Sequence, residues 1–447
     1  MKKQTLHQLL THIENSEIPE DWVKSVKLLE KEYNQIKHVI NRPNPPRIYG
    51  LNTLVGHLDD QDLSHDSLIS FQNELINNHS IGINEFYDPF IVRCINYAKV
   101  QSISMGGTGI SPDLFKRIIH LLEEGFIPRV PRLSSYSCGD VIPGAHWASE
   151  VLCNLNLRKK YTLKPKEGLS LINGNFVHIG YSVAISSQML KLFKRIILNS
   201  FKVIALSKSN PSNFKFIVNQ TSNPYLRETF KTMMKFSNQQ KGIYNVQDPV
   251  SVRSIPQMIE ALLNGLSQWK QSIEVQLNQS SDNPLFDRKD EAFYSQSSFL
   301  ALDVSLQASK LIETILMVCW NIERRIHYLL SGRINNIPQN GASEDEHLGF
   351  IQLPKLVTAM VEEVRMKVGR RTFASGSSTS YGIEDFWSYG VINNNQLEEL
   401  IKTTNKILEI EENLIDKLND KFNVVKTKEL YEAIEELDSI EFNYKNI

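Results

Sequence analysis

The fold of this chain is decided by residues 297–331, which read SSFLALDVSLQASKLIETILMVCWNIERRIHYLLS. The stretch contains neither glycine nor proline, and its apolar residues recur every three or four positions, which predicts one long buried helix. Residues 256–278, 353–368 and 394–422 show the same spacing, each with a proline or a polar residue near its start. Because such helices pack side by side, the sequence predicts an all-α fold built on a bundle of long helices.

Charged residues fall inside these predicted helices. Glu323, Arg324 and Arg325 would bury charge within the longest helix, so we expect pairing with opposite charges there. Residues 362–365 offer a second internal pair. Strand-like alternation is scarce, and its best candidate, residues 214–218, is expected to form a connection between helices.

The first part of the chain differs from the rest in its pattern of prolines and glycines. Prolines and glycines interrupt its shorter helical runs at 43–46, 106–107 and 128–131, which predicts loops and short helices. Because loops carry function more often than the elements they join, we look for chemistry there. We therefore divide the chain into an N-terminal helical region, 1–190, and a long-helix bundle with C-terminal helices, 191–447.

Charge and cysteine usage exclude several classes of protein. The 447 residues include 49 basic and 50 acidic ones, a net charge of -1, and no dense basic block that would favour nucleic acid or an anionic membrane surface. The four cysteines show no paired spacing, so neither a zinc site nor a disulfide framework is indicated. Phosphate-binding glycine motifs and metal-binding histidine motifs are also missing from the sequence.

The expected environment follows from these exclusions. The N-terminus lacks the apolar core of a signal peptide, and no run of 18 apolar residues occurs in the sequence. We expect a cytoplasmic protein with a small neutral or zwitterionic substrate. We expect no metal or nucleotide cofactor and no nucleic-acid or membrane partner.

The tripeptide Ser137-Cys138-Gly139 carries the most informative chemistry. A glycine after a residue with a β-leaving group allows its amide nitrogen to approach the carbonyl two residues back and close a five-membered ring. Such a ring would be an electrophile made from the chain itself. By itself the tripeptide is more typical of a surface turn with an incidental thiol, since serine and glycine are common turn residues.

Two further residues are candidates for catalysis or binding. Tyr49 lies among turn-forming glycines and could act as a base if its pKa, ordinarily about 10, were lowered; a packing role in the interior is the alternative. Arg253 follows Gln247-Asp248-Pro249 and could hold a carboxylate by two parallel hydrogen bonds, or form a structural ion pair.

These pieces, taken in order, resemble the aromatic amino acid ammonia-lyase family, which includes the histidine and phenylalanine ammonia-lyases and related aminomutases. One such motif would be weak evidence for the family, but a series of motifs in the family's order over most of the chain is specific evidence. The motifs that carry the resemblance are at 49–53, 109–112, 138–140, 166–174, 247–249, 281–285, 323–325 and 384–385.

The resemblance implies an assembly and a cofactor. Family members are all-α homotetramers whose active sites are each assembled from three subunits. Their electrophile is a methylidene-imidazolone ring, which Ser137, Cys138 and Gly139 would supply in this chain. Gly139 nitrogen would attack the Ser137 carbonyl, and loss of the Cys138 substituent would generate the methylidene group.

The resemblance also implies roles for individual residues. Tyr49 matches the catalytic tyrosine and is our candidate for the base that removes the β-proton, while Arg253 matches the residue that holds the substrate carboxylate. Asn78 and His79 fall on the pair that selects the substrate ring, where a histidine favours a polar ring such as imidazole or phenol. Further active-site positions are matched by Asn173, Gln247, Phe293 and Glu363.

The chain departs from the family pattern at several positions. Ser-Cys-Gly replaces Ala-Ser-Gly, so ring formation would expel hydrogen sulfide from Cys138 instead of water. Val250 replaces a tyrosine and Ile383 replaces a polar residue. Phe386 and Trp387 make that wall of the site more apolar and bulkier.

Three functions remain open at this point. The first is an ammonia-lyase that eliminates ammonia from an aromatic or related amino acid through the ring. The second is an aminomutase that uses the same ring. The third is a divergent homologue without the ring, which uses Cys138 as a thiol nucleophile or only binds a ligand.

Overall fold

The computed structural model describes residues 3–158, 161–239, 246–368 and 378–442. Helices dominate these residues, and the predicted all-α class is confirmed. The α-helices of the described residues are α1 (Leu6–Asn15), α2 (Glu20–Ile40), α3 (Leu68–His79), α4 (Pro89–Ser104), α5 (Pro112–Glu123), α6 (Val141–Arg158), α7 (Glu167–Ile172), α8 (Phe176–Leu206), α9 (Ser212–Lys215), α10 (Ile217–Gln220), α11 (Pro224–Gln239), α12 (Val250–Arg253), α13 (Ile255–Leu277), α14 (Leu302–Leu329), α15 (Leu353–Val368), α16 (Gly390–Phe422) and α17 (Thr427–Asp438).

The long helices form where apolar spacing predicts them. The stretch 297–331 contains α14, which starts at Leu302 because Ala301 has a left-handed backbone with φ +47° that interrupts the helix. The predicted helix at 353–368 coincides with α15, and those at 256–278 and 394–422 correspond to α13 and α16. Residues 214–218 lie across the short helices α9 and α10.

One antiparallel hairpin supplies the β-structure of the described residues. Its strands are β1 (Leu285–Asp287) and β2 (Ala292–Tyr294), with Phe286 opposite Phe293. The two rings lie 5.1 Å apart between centroids. Phe286 packs into a core cluster with Ile36, Val39, Ile48 and Leu51. The hairpin thereby buttresses the loop that carries residue 49.

The described residues form two compact units. The first is drawn from Met1–Ser186, Trp269–Ala308 and Thr372–Asn395, and in it α2 packs against α4 and α5 while α3, α6 and α7 pack on one another. Two later segments thus belong to this unit, although the sequence division at residue 190 placed them in the second half. No helix in the described part of the chain combines the length and apolarity needed to cross a bilayer.

The second unit is drawn from Ser187–Gln268, Ser309–Arg371 and Gln396–Ile447, and in it α11 packs against α9, α10 and α17. A buried ion pair lies in its core. The Arg325 guanidinium donates to both carboxylate oxygens of Glu411 at 2.8 and 2.6 Å, and both side chains are fully buried. Arg325 also donates to Ser200 Oγ at 2.9 Å, and Asn199 donates to Glu411 at 3.3 Å. The pairing expected for charge inside the predicted helix at 297–331 is confirmed for Arg325.

Removing one partner of this pair should destabilise the fold. Arg325→Met leaves the Glu411 carboxylate buried without its cation, and we expect a loss of about 3–5 kcal/mol in the free energy of unfolding. Urea denaturation followed by circular dichroism measures it. Arg365→Met is the matched control, since Arg365 pairs with Glu362 at 2.5 Å on an exposed helix face and should change stability little. Equal losses in the two variants would contradict the prediction.

Candidate active site

The first unit contains a cavity of about 610 Å³, the site cavity, to which several loops contribute. Its walls come from the loop before α3, the turn before α6, the junction between α7 and α8, the residues around the hairpin, and residues 380–386. Chain segments that lie far apart in sequence therefore meet around one space. Of the predicted site residues, those that line it are Tyr49, His79, Cys138, Gly139 and Asn173.

Other predicted site residues lie outside this lining. Ser137 is buried directly before Cys138 in the chain. Asn78 is exposed, and its amide donates to Glu74 at 3.3 Å. Phe293 packs against Phe286 in the hairpin and supports the wall from behind. The remaining three, Gln247, Arg253 and Glu363, belong to the second unit.

The bulky residues at 386 and 387 have different roles. Phe386 and Ile383 line the site cavity and contribute apolar surface to this wall. Trp387 does not line it: its indole packs on the ring of Tyr136 at 4.9 Å and near Tyr389 at 6.2 Å. Of the two bulky residues, only Phe386 therefore lines the site cavity, while the Trp387 indole packs against these tyrosines.

Tyr49 is presented by a tightly bonded loop. Asn52 accepts a hydrogen bond from Ile48 N at 2.6 Å and donates to the Pro46 carbonyl at 2.8 Å, which closes the turn around residue 49. The Tyr49 phenol oxygen accepts a hydrogen bond from Gly56 N at 2.8 Å. The phenol is therefore fixed in the site cavity with its oxygen held by a main-chain donor.

Opposing effects set the acidity of Tyr49. Burial raises its pKa, and the nearby carboxylates of Glu384 and Asp59 raise it further. The hydrogen bond from Gly56 acts the other way, because a donor to the oxygen favours the phenolate. The net effect is a pKa above the ordinary value, so within this chain the lowered pKa that would favour Tyr49 as a base is not found.

The tripeptide has an unusual backbone. Ser137 and Gly139 have left-handed φ angles of +66° and +82°, and Asp140 follows at +48°. A Cβ on Gly139 would lie 2.6 Å from Asn173 Oδ1, so a glycine is required there on two counts. Gly174 N donates to the Gly139 carbonyl at 3.0 Å, which fastens the tripeptide to the start of α8.

The Cys138 thiol lies in a poor environment for a thiolate. Burial raises its pKa to about 12, and the carboxylates of Glu384, Asp140 and Asp385 contribute in the same direction. The thiol is therefore protonated at neutral pH. A reactive thiol nucleophile needs the opposite, a cationic neighbour or a helix N-terminus that lowers the pKa.

Asn173 is held between main-chain groups. Its Nδ2 donates to the Asn283 carbonyl at 3.0 Å, and its Oδ1 accepts from Gly174 N at 2.9 Å. The buried amine of Lys99 donates to the Asn173 carbonyl at 2.9 Å, and burial lowers the pKa of Lys99 to about 7. Each of these contacts fixes the amide beside Gly139.

The tautomer of His79 follows from its contact. Its Nδ1 lies 2.7 Å from the carbonyl oxygen of Leu75, which can only accept, so Nδ1 carries a proton. In the neutral ring Nε2 is then an acceptor. His79 lines the site cavity and can receive a hydrogen bond from a substrate there.

Sequence reasoning gave Glu384 no role, although it lines the site cavity. The Tyr136 hydroxyl donates to its carboxylate at 2.5 Å and the Thr379 hydroxyl at 2.7 Å. Together with Asp59 and Asp385 it makes the lining acidic. Among the described residues that line the cavity there is no lysine or arginine. The signal was the motif at 384–385 itself, and the motif at 281–285 likewise contains Asn283, which also lines the cavity.

The second unit arranges Gln247 and Arg253 as a pair. With its amide oxygen turned toward Arg253, Gln247 accepts from both terminal guanidinium nitrogens at 2.7 and 3.1 Å. Asp248 anchors the segment by accepting from Ser209 Oγ and Asn210 N, each at 2.8 Å. The guanidinium is thus oriented by a neutral partner and keeps its charge for a carboxylate.

Glu363 and Val250 are on the surface of this unit. Glu363 is exposed on α15 and pairs with Lys367 at 2.9 Å. Val250, which stands where the family has a tyrosine, has 62% of its surface exposed. Neither residue lines the site cavity.

Known proteins share the sequence pattern and the fold of this chain. A family model for aromatic amino acid lyases matches residues 5–415. Histidine ammonia-lyase 2 of Fusobacterium nucleatum is 27% identical over 92% of this chain and 87% of that protein. The fold is shared with phenylalanine aminomutase of Pantoea agglomerans (TM-score 0.83, 20% identity, 94% and 89% of the two chains) and with ergothionase of Treponema denticola (0.86, 16%, 98% and 98%).

The close packing of Gly139 can be separated from its backbone strain. Gly139→Ala adds both a left-handed alanine and a collision with Asn173, whereas Gly125→Ala, at φ +74° with no atom within 4 Å, adds strain alone. We expect Gly125→Ala to cost about 1 kcal/mol. Gly139→Ala should exceed it by at least about 1 kcal/mol through overpacking. Urea denaturation compares the two; equal losses would mean that Asn173 moves aside freely.

Proposed function

Since the chain belongs to the aromatic amino acid lyase family and is a carbon–nitrogen lyase, we propose that it eliminates ammonia from an amino acid whose side-chain ring carries a hydrogen-bond donor. The observation that carries this proposal is the meeting of Tyr49 and Cys138 in one cavity. A candidate base and the centre of a ring-forming tripeptide there face the same space, as an elimination requires.

The residues present fit a methylidene-imidazolone at 137–139. Gly139 leaves room for its nitrogen because it has no side chain, and the left-handed backbone at Ser137 and Gly139 compacts the loop. Asn173 would lie beside the group and hold it in place. When formed, such a group supplies an electrophilic carbon that turns the substrate's amine into a better leaving group.

Tyr49 is proposed as the base that removes the β-proton. This proton is weakly acidic, so a strong base in a fixed position is needed. The hydrogen bond from Gly56 favours the phenolate, but burial raises the pKa of the phenol, so Tyr49 must lose its proton before it can act as the base. The loop around Asn52 provides the position.

His79 is proposed to select the substrate ring. Its neutral Nε2 accepts a hydrogen bond, so it favours an imidazole N–H or a phenol O–H over an unsubstituted phenyl ring. The apolar residues Leu75, Ile383 and Phe386 line the same cavity and would contact the ring faces.

A cation from elsewhere must hold the substrate carboxylate. The lining carries Asp59, Glu384 and Asp385, which attract the substrate's ammonium group and repel its carboxylate. Arg253 is the candidate for the missing cation, with Gln247 to orient it. We propose that Arg253 comes from another copy of the chain, in a homotetramer whose active sites are shared.

The two alternatives are a homologue that uses Cys138 as a nucleophile and an aminomutase. A Cys138 nucleophile is disfavoured by burial and by the surrounding carboxylates, which raise the pKa of the thiol to about 12. An aminomutase would need the same base and electrophile, and differs only in returning ammonia to the neighbouring carbon.

Intact-protein mass spectrometry with a product assay tests the proposed function. The full chain should be lighter than its sequence by one water and one hydrogen sulfide, and incubation with histidine or tyrosine should release ammonia and an absorbing unsaturated acid. A β-amino acid product would indicate the aminomutase. An unmodified mass together with alkylation of Cys138 would contradict the lyase.

Two variants separate ring formation from turnover. Tyr49→Phe should keep the mass deficit of the wild type and lose about 10²–10⁴-fold in kcat, because only the base is removed. Cys138→Ala should lose both the deficit and the activity. Full activity in Tyr49→Phe would assign the base to another residue.

Ring selection by His79 can be measured by comparing substrates. His79→Leu leaves the donor of the substrate ring unpaired, so kcat/KM for histidine or tyrosine should fall roughly 5- to 150-fold while that for phenylalanine is retained or improved. Asn78→Leu, at the exposed neighbouring position, should change neither. An equal loss for every substrate would indicate a structural role for His79.

A further inference from the structure

The Ser137 carbonyl oxygen accepts hydrogen bonds from the chain at the start of α16. Ser388 donates to the Ser137 carbonyl oxygen twice, from its main-chain nitrogen at 3.4 Å and from its hydroxyl at 3.3 Å. Tyr389 N donates to the preceding carbonyl, that of Tyr136, at 3.2 Å. Val391 N donates to the hydroxyl of Ser137 at 2.8 Å. Four donors thus converge on two successive residues of the chain.

From this geometry we infer that Ser388 is a catalytic residue for ring closure, one that polarises the Ser137 carbonyl while Gly139 nitrogen attacks it. The inference rests on the proposed function, because it concerns how the chain prepares its own electrophile. Ser388 contacts a reacting atom directly, since the Ser137 carbonyl oxygen is the atom that leaves when the ring closes.

The chemistry of closure explains why donors at this oxygen matter. Gly139 nitrogen forms a bond to the Ser137 carbonyl carbon and loses its proton, and the π electrons of the carbonyl move onto oxygen. That oxygen takes up the proton from Gly139 nitrogen and leaves as water together with the main-chain N–H proton of Cys138, which gives a C=N bond between the Ser137 carbon and the Cys138 nitrogen. Cys138 then loses its Cα proton while its Cβ–S bond breaks, and the sulfur leaves as hydrogen sulfide. Negative charge grows on the oxygen in the first step, and donors aimed at it stabilise that charge.

Ser388 is held in place by buried polar contacts. Only 3% of its surface is exposed, and its carbonyl accepts a hydrogen bond from the Ser305 hydroxyl. Asn393 in turn donates to Ser305 Oγ at 2.8 Å and to its carbonyl at 3.1 Å. A donor fixed in this way costs no reorganisation when charge develops, which is the condition for effective stabilisation.

The start of α16 adds a second favourable effect. The first N–H groups of a helix have no partner within it and carry partial positive charge. Val391 N is one of them, and it donates to the Ser137 hydroxyl. The positive end of a long helix therefore lies next to the carbonyl that must become negative. The alanine that the family has at this position could not accept this hydrogen bond. The bond therefore gives a physical reason for a serine at 137.

The rate of ring closure in Ser388→Ala tests the inference. The full chain is made by cell-free translation, synthesis is stopped, and intact mass is followed over time together with released sulfide. We expect Ser388→Ala to lose water and hydrogen sulfide at least about tenfold more slowly than the wild type, since one donor to the developing oxyanion is gone. Ser388→Thr retains the hydroxyl and should restore much of the rate.

Ser104→Ala is the matched control. Ser104 is also fully buried, but its hydroxyl donates only to Gln101 within α4, so this variant should mature at the wild-type rate. Circular dichroism establishes that each variant is folded, and slow closure in a folded Ser388→Ala with rescue by threonine supports the inference. Closure of Ser388→Ala at the wild-type rate would overturn it and leave the proposed function intact. A wild type that never loses mass would overturn both.

Discussion

The site depends on one packing constraint, the close approach of Gly139 to Asn173. A side chain at 139 would overlap the amide oxygen, and the left-handed backbone there suits glycine alone. Because Gly174 N bonds the Gly139 carbonyl from one side and residues 388–391 bond Tyr136 and Ser137 from the other, the tripeptide is held at both ends. The start of α8 and the start of α16 are thereby fixed relative to Cys138 within the first unit.

The charged groups around the tripeptide divide into those buried behind the cavity wall and those that line the cavity. Lys166 and Asp282 form a buried pair at 2.7 Å directly before Asn283, and the amine of Lys99 bonds the carbonyl of Asn173. These charges lie behind the wall, where they fix main-chain groups and do not meet a substrate. Carboxylates line the cavity and, after burial, contribute to the raised pKa of Cys138; this acidic lining is the reason that we propose a cation from elsewhere for the substrate carboxylate.

The departures from the family pattern have separate physical meanings. Ser137 uses its hydroxyl to accept a bond from the start of α16. Cys138 sits where burial and the nearby carboxylates disfavour a thiolate. Ile383 contributes apolar surface to the cavity wall, and Trp387 packs on Tyr136. Nothing in the structure explains why Val250 replaces a tyrosine.

The sequence by itself determined the helices, the family and the type of chemistry. Apolar spacing is a local property, so it located α13 to α16, and the ordered motifs identified the family and brought Tyr49, His79, Cys138 and Asn173 into consideration together. Only the tertiary structure decided which of these share a cavity, that Phe293 supports the wall, and that Glu384 lines it. Ser388 and Ser137 are 251 positions apart, and no local pattern records a contact at that separation. Hydrogen-bond partners and pKa shifts depend on which distant segments are packed together, and that is fixed only when the chain folds.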